Sequence, residues 1–256
     1  MNDEKYCIGT AGFMIGGIKW LRMKSLNCIE VNSTFYRNPS VNTVKAWLNY
    51  PENVKLSIKI PKYITHIKRL KDVKSAWTML WNTLEPCKGK IIAILFQLPP
   101  SFAYTMNTLQ RIKDMKEYLP KDVNIVFEFR NSTWITQAIY DEIDKLNIII
   151  SGTYLKKEEN SNWIGDMPSG FNFGNPDGNI SYMRIHGMKG YIGELSETEL
   201  RELYKRIQLG NQQKHIIIFN NTFFKKRERQ EIINGNSISY AAIYNAGQMR
   251  EIINAI

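Results

Sequence analysis

The chain has 256 residues, 43% of them hydrophobic and 23% charged, with a formal net charge of +10. That balance gives enough apolar residues for a sizeable core and excludes a disordered, charge-dominated chain. The longest apolar run, Ile91 to Phe96, is far too short to span a bilayer, and the acidic start Met1-Asn2-Asp3-Glu4 is unlike a secretory signal, so a cytoplasmic location without a membrane partner is expected.

Cys7, Cys28 and Cys87 are odd in number and form no CxxC pair, which points to reduced core residues and away from a disulfide framework or a zinc ribbon. The positive charge makes nucleic acid a candidate partner, because basic surfaces attract phosphate backbones. A chain rich in Lys, Asn and Ile also spreads positive charge without any partner. Its densest basic run, Lys225-Lys226-Arg227-Glu228-Arg229, reads more simply as a solvated loop or helix start.

In chain order, eight segments read as strands: Tyr6 to Thr10, Cys28 to Asn32, Val54 to Ile60, Ile91 to Gln97, Asn124 to Arg130, Asn147 to Ser151, Ile180 to His186 and His215 to Asn221. Helical patterns separate them. Thr43 to Asn49 is short, and Lys71 to Pro86 carries Val73, Trp77, Leu80 and Leu84 at helical spacing. Asn107 to Leu119 and Thr136 to Leu146 follow, and Ser196 to Glu199 is a capping-box pattern that opens a helix running to Gly210. A last helix runs from about Ser239 to Ile253. Alternating strands and helices point to a single-domain α/β chain over residues 1–256, a (β/α)8 TIM-type barrel. Two irregularities are expected. Only a short helix around Trp20 fits between the first two strands, and Trp163 to Asp166 offers a rival sixth strand. An open dinucleotide-binding sheet is disfavoured, since Gly9-Thr10-Ala11-Gly12 lacks the third glycine.

Side chains alternate faces along a strand, so each strand's polar ending can be assigned to one face. Glu30 and Asn32 share a face, as do Ser57 and Lys59, Glu128 and Arg130, and Arg184 and His186; Gln97, Asn220 and Asn221 end two further strands. Barrel strands are buried on both faces, and barrel enzymes place their sites at the C-terminal ends of the strands. These residues are therefore expected to converge in one polar mouth. Glu30 and Glu128, on strands two and five, are the candidate acid/base pair, with Lys59 and His66 or His186 as further catalytic groups. Arg130 and Arg184 suit a bidentate grip on a small anionic or phosphorylated ligand. Asn32, Gln97, Asn220 and Asn221 supply hydrogen bonds, and Tyr36, Trp134 and Tyr191 are loop aromatics able to stack a ring or pack as lids. Simple salt bridging of both carboxylates is the structural alternative. No metal ligand is assigned, and the cofactor is left unknown. A divalent metal would need Glu30, Glu128 or Asp166 beside a histidine.

The ordered motifs IEVNSTFY, KIPKYITH, FQLPPSF, FEFRNSTW, YMRIHG and FNNT resemble the family named domain of unknown function 72, also called YecE-like. The resemblance runs over nearly the whole chain. It implies a TIM barrel, and it matches Glu30, Asn32, Phe35, Tyr36, Lys59, Thr65, His66, Gln97, Pro99, Glu128, Arg130, Trp134, Arg184, His186, Gly187, Tyr191, Asn220 and Asn221 to the family pattern. It implies no reaction. The short first connection and the Asn147 to Gly178 segment depart from the pattern. Three readings follow: an enzyme using carboxylate acid/base chemistry on a small anion, a metal-dependent phosphodiesterase or endonuclease acting on nucleic acid, or a non-catalytic metabolite-binding module. A hydrolase or lyase is the expected kind of enzyme. Oligomeric state is not legible.

Overall fold

The structure, a computed structural model, describes residues 5–13, 18, 21, 24–155, 171–172, 179–187, 192–210, 212–221 and 241–255. The described strands are β1 (Tyr6–Ala11), β2 (Cys28–Val31), β3 (Lys55–Lys59), β4 (Ile91–Gln97), β5 (Asn124–Glu128), β6 (Ile149–Ile150), β7 (Gly152–Leu155), β8 (Phe171–Asn172), β9 (Ile180–His186) and β10 (Lys214–Phe219). They form one sheet in the order β6-β5-β4-β3-β2-β1-β10-β9-β7-β8, parallel throughout except for the β7–β8 pair. β1 therefore lies between the second strand and the last, as a strand-helix barrel requires.

The sixth barrel position corrects the expected strand Asn147 to Ser151. The extended chain runs from Ile149 to Leu155 and changes partner at Ser151: β6 pairs with β5, and β7 pairs with β9. Ser151 stays tied to the first partner, its N–H donating to the Phe127 carbonyl at 2.8 Å. One short run of chain thus joins both neighbours in succession and brings the barrel close to closure. The rival strand at Trp163 to Asp166 lies outside the described residues, as do Trp20 and the run Lys225 to Arg229.

Period-two alternation divides the strands as expected. Ile29, Val31, Leu56, Ile58, Ile94, Phe96, Ile125, Phe127, Met183, Ile185, Ile217 and Phe219 pack outward into the large apolar layer shared with the helices. Cys28, Ala93, Leu95, Val126, Tyr182, Ile216 and Ile218 form a separate cluster inside the barrel. The three cysteines are buried thiols. At Gly9 the two first strands approach so closely that a Cβ would lie 1.7 Å from the Cys28 carbonyl oxygen, which only glycine avoids.

The described helices cover the outside: α1 (Val41–Leu48), α2 (Lys74–Leu84), α3 (Met106–Lys116), α4 (Gln137–Asp144), α5 (Glu197–Gln208) and α6 (Ala241–Asn254). The expected capping box at α5 forms, the Ser196 hydroxyl accepting from Glu199 N–H while the Glu199 carboxylate accepts from Ser196 N–H. α2 starts three residues later than its apolar spacing suggests. Arg69, Leu70 and Asp72 all adopt positive φ, which ends one turn before the helix can begin. No described helix is long and apolar enough to cross a membrane.

Candidate functional site

The inward faces of β2, β5 and β9 carry Glu30, Glu128 and Arg184 near their C-terminal ends, and these three side chains meet inside the barrel. Arg184 is 1% exposed and lies between the two carboxylates. Its Nε and Nη2 donate to Glu30 at 2.9 and 2.8 Å, a bidentate grip, and its Nη1 donates to Glu128 at 2.5 Å. The same Nη1 lies 3.4 Å from the Gln97 side-chain oxygen Oε1. Tyr182, two residues before Arg184 and on its face, donates its phenol to Glu30 at 2.9 Å and shares a 2.7 Å hydrogen bond with Ser57. At the rim, Arg130 reaches back to Glu128 at 2.8 Å.

These contacts set the protonation states. Burial works to raise the Glu128 carboxyl, but the guanidiniums of Arg184 and then Arg130 outweigh it and hold it well below the usual carboxylate range. Burial also opposes the charge on Arg184, and Glu128 and Glu30 more than restore it. The phenol of Tyr182 is pushed far up, first by burial and then by the Glu30 charge beside it. Salt bridging, the simpler expectation for both carboxylates, accounts for both of them.

Lys59 behaves differently. It ends β3 beside Glu30, yet among the described residues its ammonium makes no ion pair and instead sits 4.3 Å over the Phe35 ring. Thr34 fixes that arrangement, its hydroxyl reaching the carbonyls of Val31 and Lys59 at 2.7 and 2.6 Å and so tying the ends of β2 and β3 together. Burial, and next the Arg184 charge, pull the Lys59 ammonium down to about 8 against the opposing pull of Glu30 and Glu128. His66 stands edge-on to the same Phe35 ring at 5.0 Å. A single π-helical turn, Tyr63–Ile67, carries it there, a conformation that often marks a functional position. The Thr65 hydroxyl lies 2.9 Å from its Nδ1, and burial, then Lys59 and Arg130, lower it to about 4, so the ring is neutral at ordinary pH.

The remaining candidates fall around this centre. His186 is buried at the end of β9, with the Asn220 amide 3.4 Å from its Nδ1. Asn32 sits half-buried past β2, its Oδ1 without a hydrogen-bond partner among the described residues. Asn221 turns to the helix layer and donates to Gly193 and Asn245, helping to pin α6 to the barrel. Trp134 is fully enclosed, stacked on Phe129 at 4.3 Å and donating to the Phe102 carbonyl, whereas Tyr36 is 82% exposed beside Phe35. Tyr191 and Asp166 lie outside the described residues. Tyr182 and Thr34 were not among the sequence candidates. Tyr182 has the inward parity of Arg184, a signal available in the sequence; nothing local marks Thr34.

The guanidinium of Arg184 fills the place between Glu30 and Glu128 that a divalent ion would need. Among the described residues no three His, Cys, Asp or Glu side chains come together as a ligand set. The arrangement holds two carboxylates against arginines and leaves a lysine and a neutral histidine across one aromatic ring.

Comparison with known proteins adds the family. The family described as Protein of unknown function DUF72 matches residues 21–232. No curated protein matches the sequence. A DUF72 family protein from Thermotoga maritima is 20% identical with a TM-score of 0.75, covering 98% of this chain and 99% of its own. One from Enterococcus faecalis is 17% identical with a TM-score of 0.71 over 96% and 98%. D-psicose 3-epimerase from Clostridium cellulolyticum, solved with D-tagatose, shares the fold at 13% identity, TM-score 0.54, over 98% and 99%. A match that spans most of the sequence, on the barrel shared by its solved relatives, makes this chain a member of the DUF72 family.

Proposed function

We propose that the chain is an enzyme whose barrel mouth binds a small anionic ligand, a carboxylate or phosphate ester, and acts on it by proton transfer. One observation carries this reading: Lys59 is enclosed in the mouth without a carboxylate partner among the described residues, while both carboxylates are already taken by arginines. Among the described residues three cations, Lys59, Arg130 and Arg184, face two anions, Glu30 and Glu128, so one positive charge is left for a ligand. In this reading Lys59 and Arg130 hold the anion and the neutral His66 moves the proton. Glu30 and Glu128, the acid/base pair suggested by their strand positions, serve instead as fixed charges that keep Arg184 and the Lys59 ammonium in place.

The metal-dependent phosphodiesterase reading has less support, since Arg184 occupies the space between the carboxylates. The test is a thermal-shift screen of small carboxylates and phosphate esters, followed by turnover assays on every ligand that stabilises the chain. Lys59→Met should abolish the ligand-induced shift and lower turnover by at least about 100-fold, with the unliganded melting temperature retained. Ligand binding and turnover that survive Lys59→Met would overturn the proposal.

A further inference from the structure

Lys59 has the surroundings of a nucleophile as well as those of a charge clamp. A lysine amine attacks carbon only as the free base, and proteins free it by desolvation or by placing a second cation beside it. Both conditions are met: the residue is 9% exposed, and Arg184 is the cation that opposes its ammonium most strongly. At about 8, roughly a tenth of the amine is unprotonated at neutral pH. Geometry supports the same role. No carboxylate among the described residues holds the ammonium, its backbone is fixed by Thr34 at the end of β3, and the Phe35 face beneath it accommodates any cation at that nitrogen. His66 stands across the same ring as a neutral acid/base.

We propose that Lys59 forms a Schiff base with a small carbonyl compound that carries a carboxylate or phosphate group. The claim rests on the reading of the mouth as a small-anion site and names its substrate class. The Lys59 amine adds to the carbonyl carbon, forming a C–N bond as the carbonyl π pair moves to oxygen. That oxygen gains a proton and the nitrogen loses one, His66 being the group placed to relay it. The proton that the Lys59 ammonium gave up to become the free amine is returned through His66 to the carbinolamine hydroxyl, which leaves as water, so that an iminium remains with no change of oxidation state. The iminium carries the same positive charge as the ammonium it replaces, so the cation over Phe35 and the field of Glu30 and Glu128 are retained. Hydrolysis runs the same steps backward.

The test uses the full chain with two matched pairs of probes: glyoxylate with glycolate, and dihydroxyacetone phosphate with glycerol 3-phosphate. In each pair only the first has a carbonyl carbon. With sodium cyanoborohydride present, peptide mass spectrometry should find the reduced adduct of a carbonyl probe on Lys59 at least ten-fold above any other lysine, and Lys59→Arg should abolish it. Glycolate and glycerol 3-phosphate should add no mass. Equal labelling of Lys59 and surface lysines would overturn the Schiff base. Should all four probes still raise the melting temperature, the small-anion reading survives that loss. If none raises it and no Lys59 adduct forms, both readings fall together.

Discussion

The two ends of the barrel each bury an arginine, and they satisfy it in different ways. At the C-terminal mouth Arg184 is ion-paired with two carboxylates, Glu30 and Glu128. At the floor, among the described residues, Arg250 donates to two neutral acceptors, the Tyr6 carbonyl and the Asn27 Oδ1; Asn27 also bonds Ile8 N–H and the Tyr6 carbonyl, and Ser181 pairs with His215. A cavity of about 450 Å³ opens near this end where β6 and β9 fail to pair, lined by Lys116, Asp122, Asn124, Asn147 and Asn179. At the floor, among the described residues, neutral acceptors hold the Arg250 guanidinium and with it helix α6 to the strands. Full charges at the mouth cost far more to bury and are kept only where each is paired or used. The difference separates a structural staple from the proposed anion site, where Lys59 has no ion pair among the described residues.

The largest effect is expected from Arg184→Met. It strips Glu30 of its arginine and leaves Glu128 with Arg130 alone, and should cost about 3–5 kcal/mol in urea unfolding at neutral pH. A loss under about 1 kcal/mol would mean that the mouth is held by dipoles as the floor is.

Lys59 gives the next test, through pH. Its folded-state value, about 8, lies below the ordinary 10.5, so in this window the unfolded chain binds more protons than the folded one. The penalty of burying the ammonium is therefore full below about 8 and is relieved as pH rises toward 10.5. The stability of the wild type relative to Lys59→Met should climb across that range by roughly 3 kcal/mol at most. A flat difference would show that the ammonium is paired after all.

At the floor, Asn27→Ala removes hydrogen bonds to Ile8, Tyr6 and Arg250 and should cost roughly 1–3 kcal/mol. Because the lost groups are dipoles, that cost should be the same between about pH 6 and pH 9. A strong pH dependence would erase the distinction between the two ends.

Much of the mouth is written in the sequence as parity. Glu30, Ser57, Lys59, Glu128, Arg184 and His186 all carry the inward phase of their strands, and the barrel delivers that phase wherever a strand is long enough to alternate. Parity names a face but no partner. That both carboxylates would share one guanidinium, leaving Lys59 over Phe35, depends on strand order around the barrel and on side-chain reach. Strand six escaped for a related reason: its two paired pieces, Ile149–Ile150 and Gly152–Leu155, are each too short for periodicity, and the change of partner at Ser151 has no local mark. Trp134 looked like a loop aromatic, yet its 3-10 turn folds it onto Phe129 and Phe102, a long-range packing outcome.

The smallest effect should come from Tyr182→Phe, and it discriminates most finely. The substitution keeps the ring that fills the barrel interior and removes only a hydroxyl bonded to Glu30 and Ser57. Glu30 retains both of its bonds from Arg184, so no charge is stranded, and the expected cost is about 1 kcal/mol. The pH window of Lys59 should not move, since a phenol held neutral far above its usual range contributes no charge there. If the change instead costs as much as Arg184→Met, the phenol is what positions Glu30. The mouth would then depend on a neutral hydrogen bond of the kind found at the floor, and its burial of full charges would need another reason.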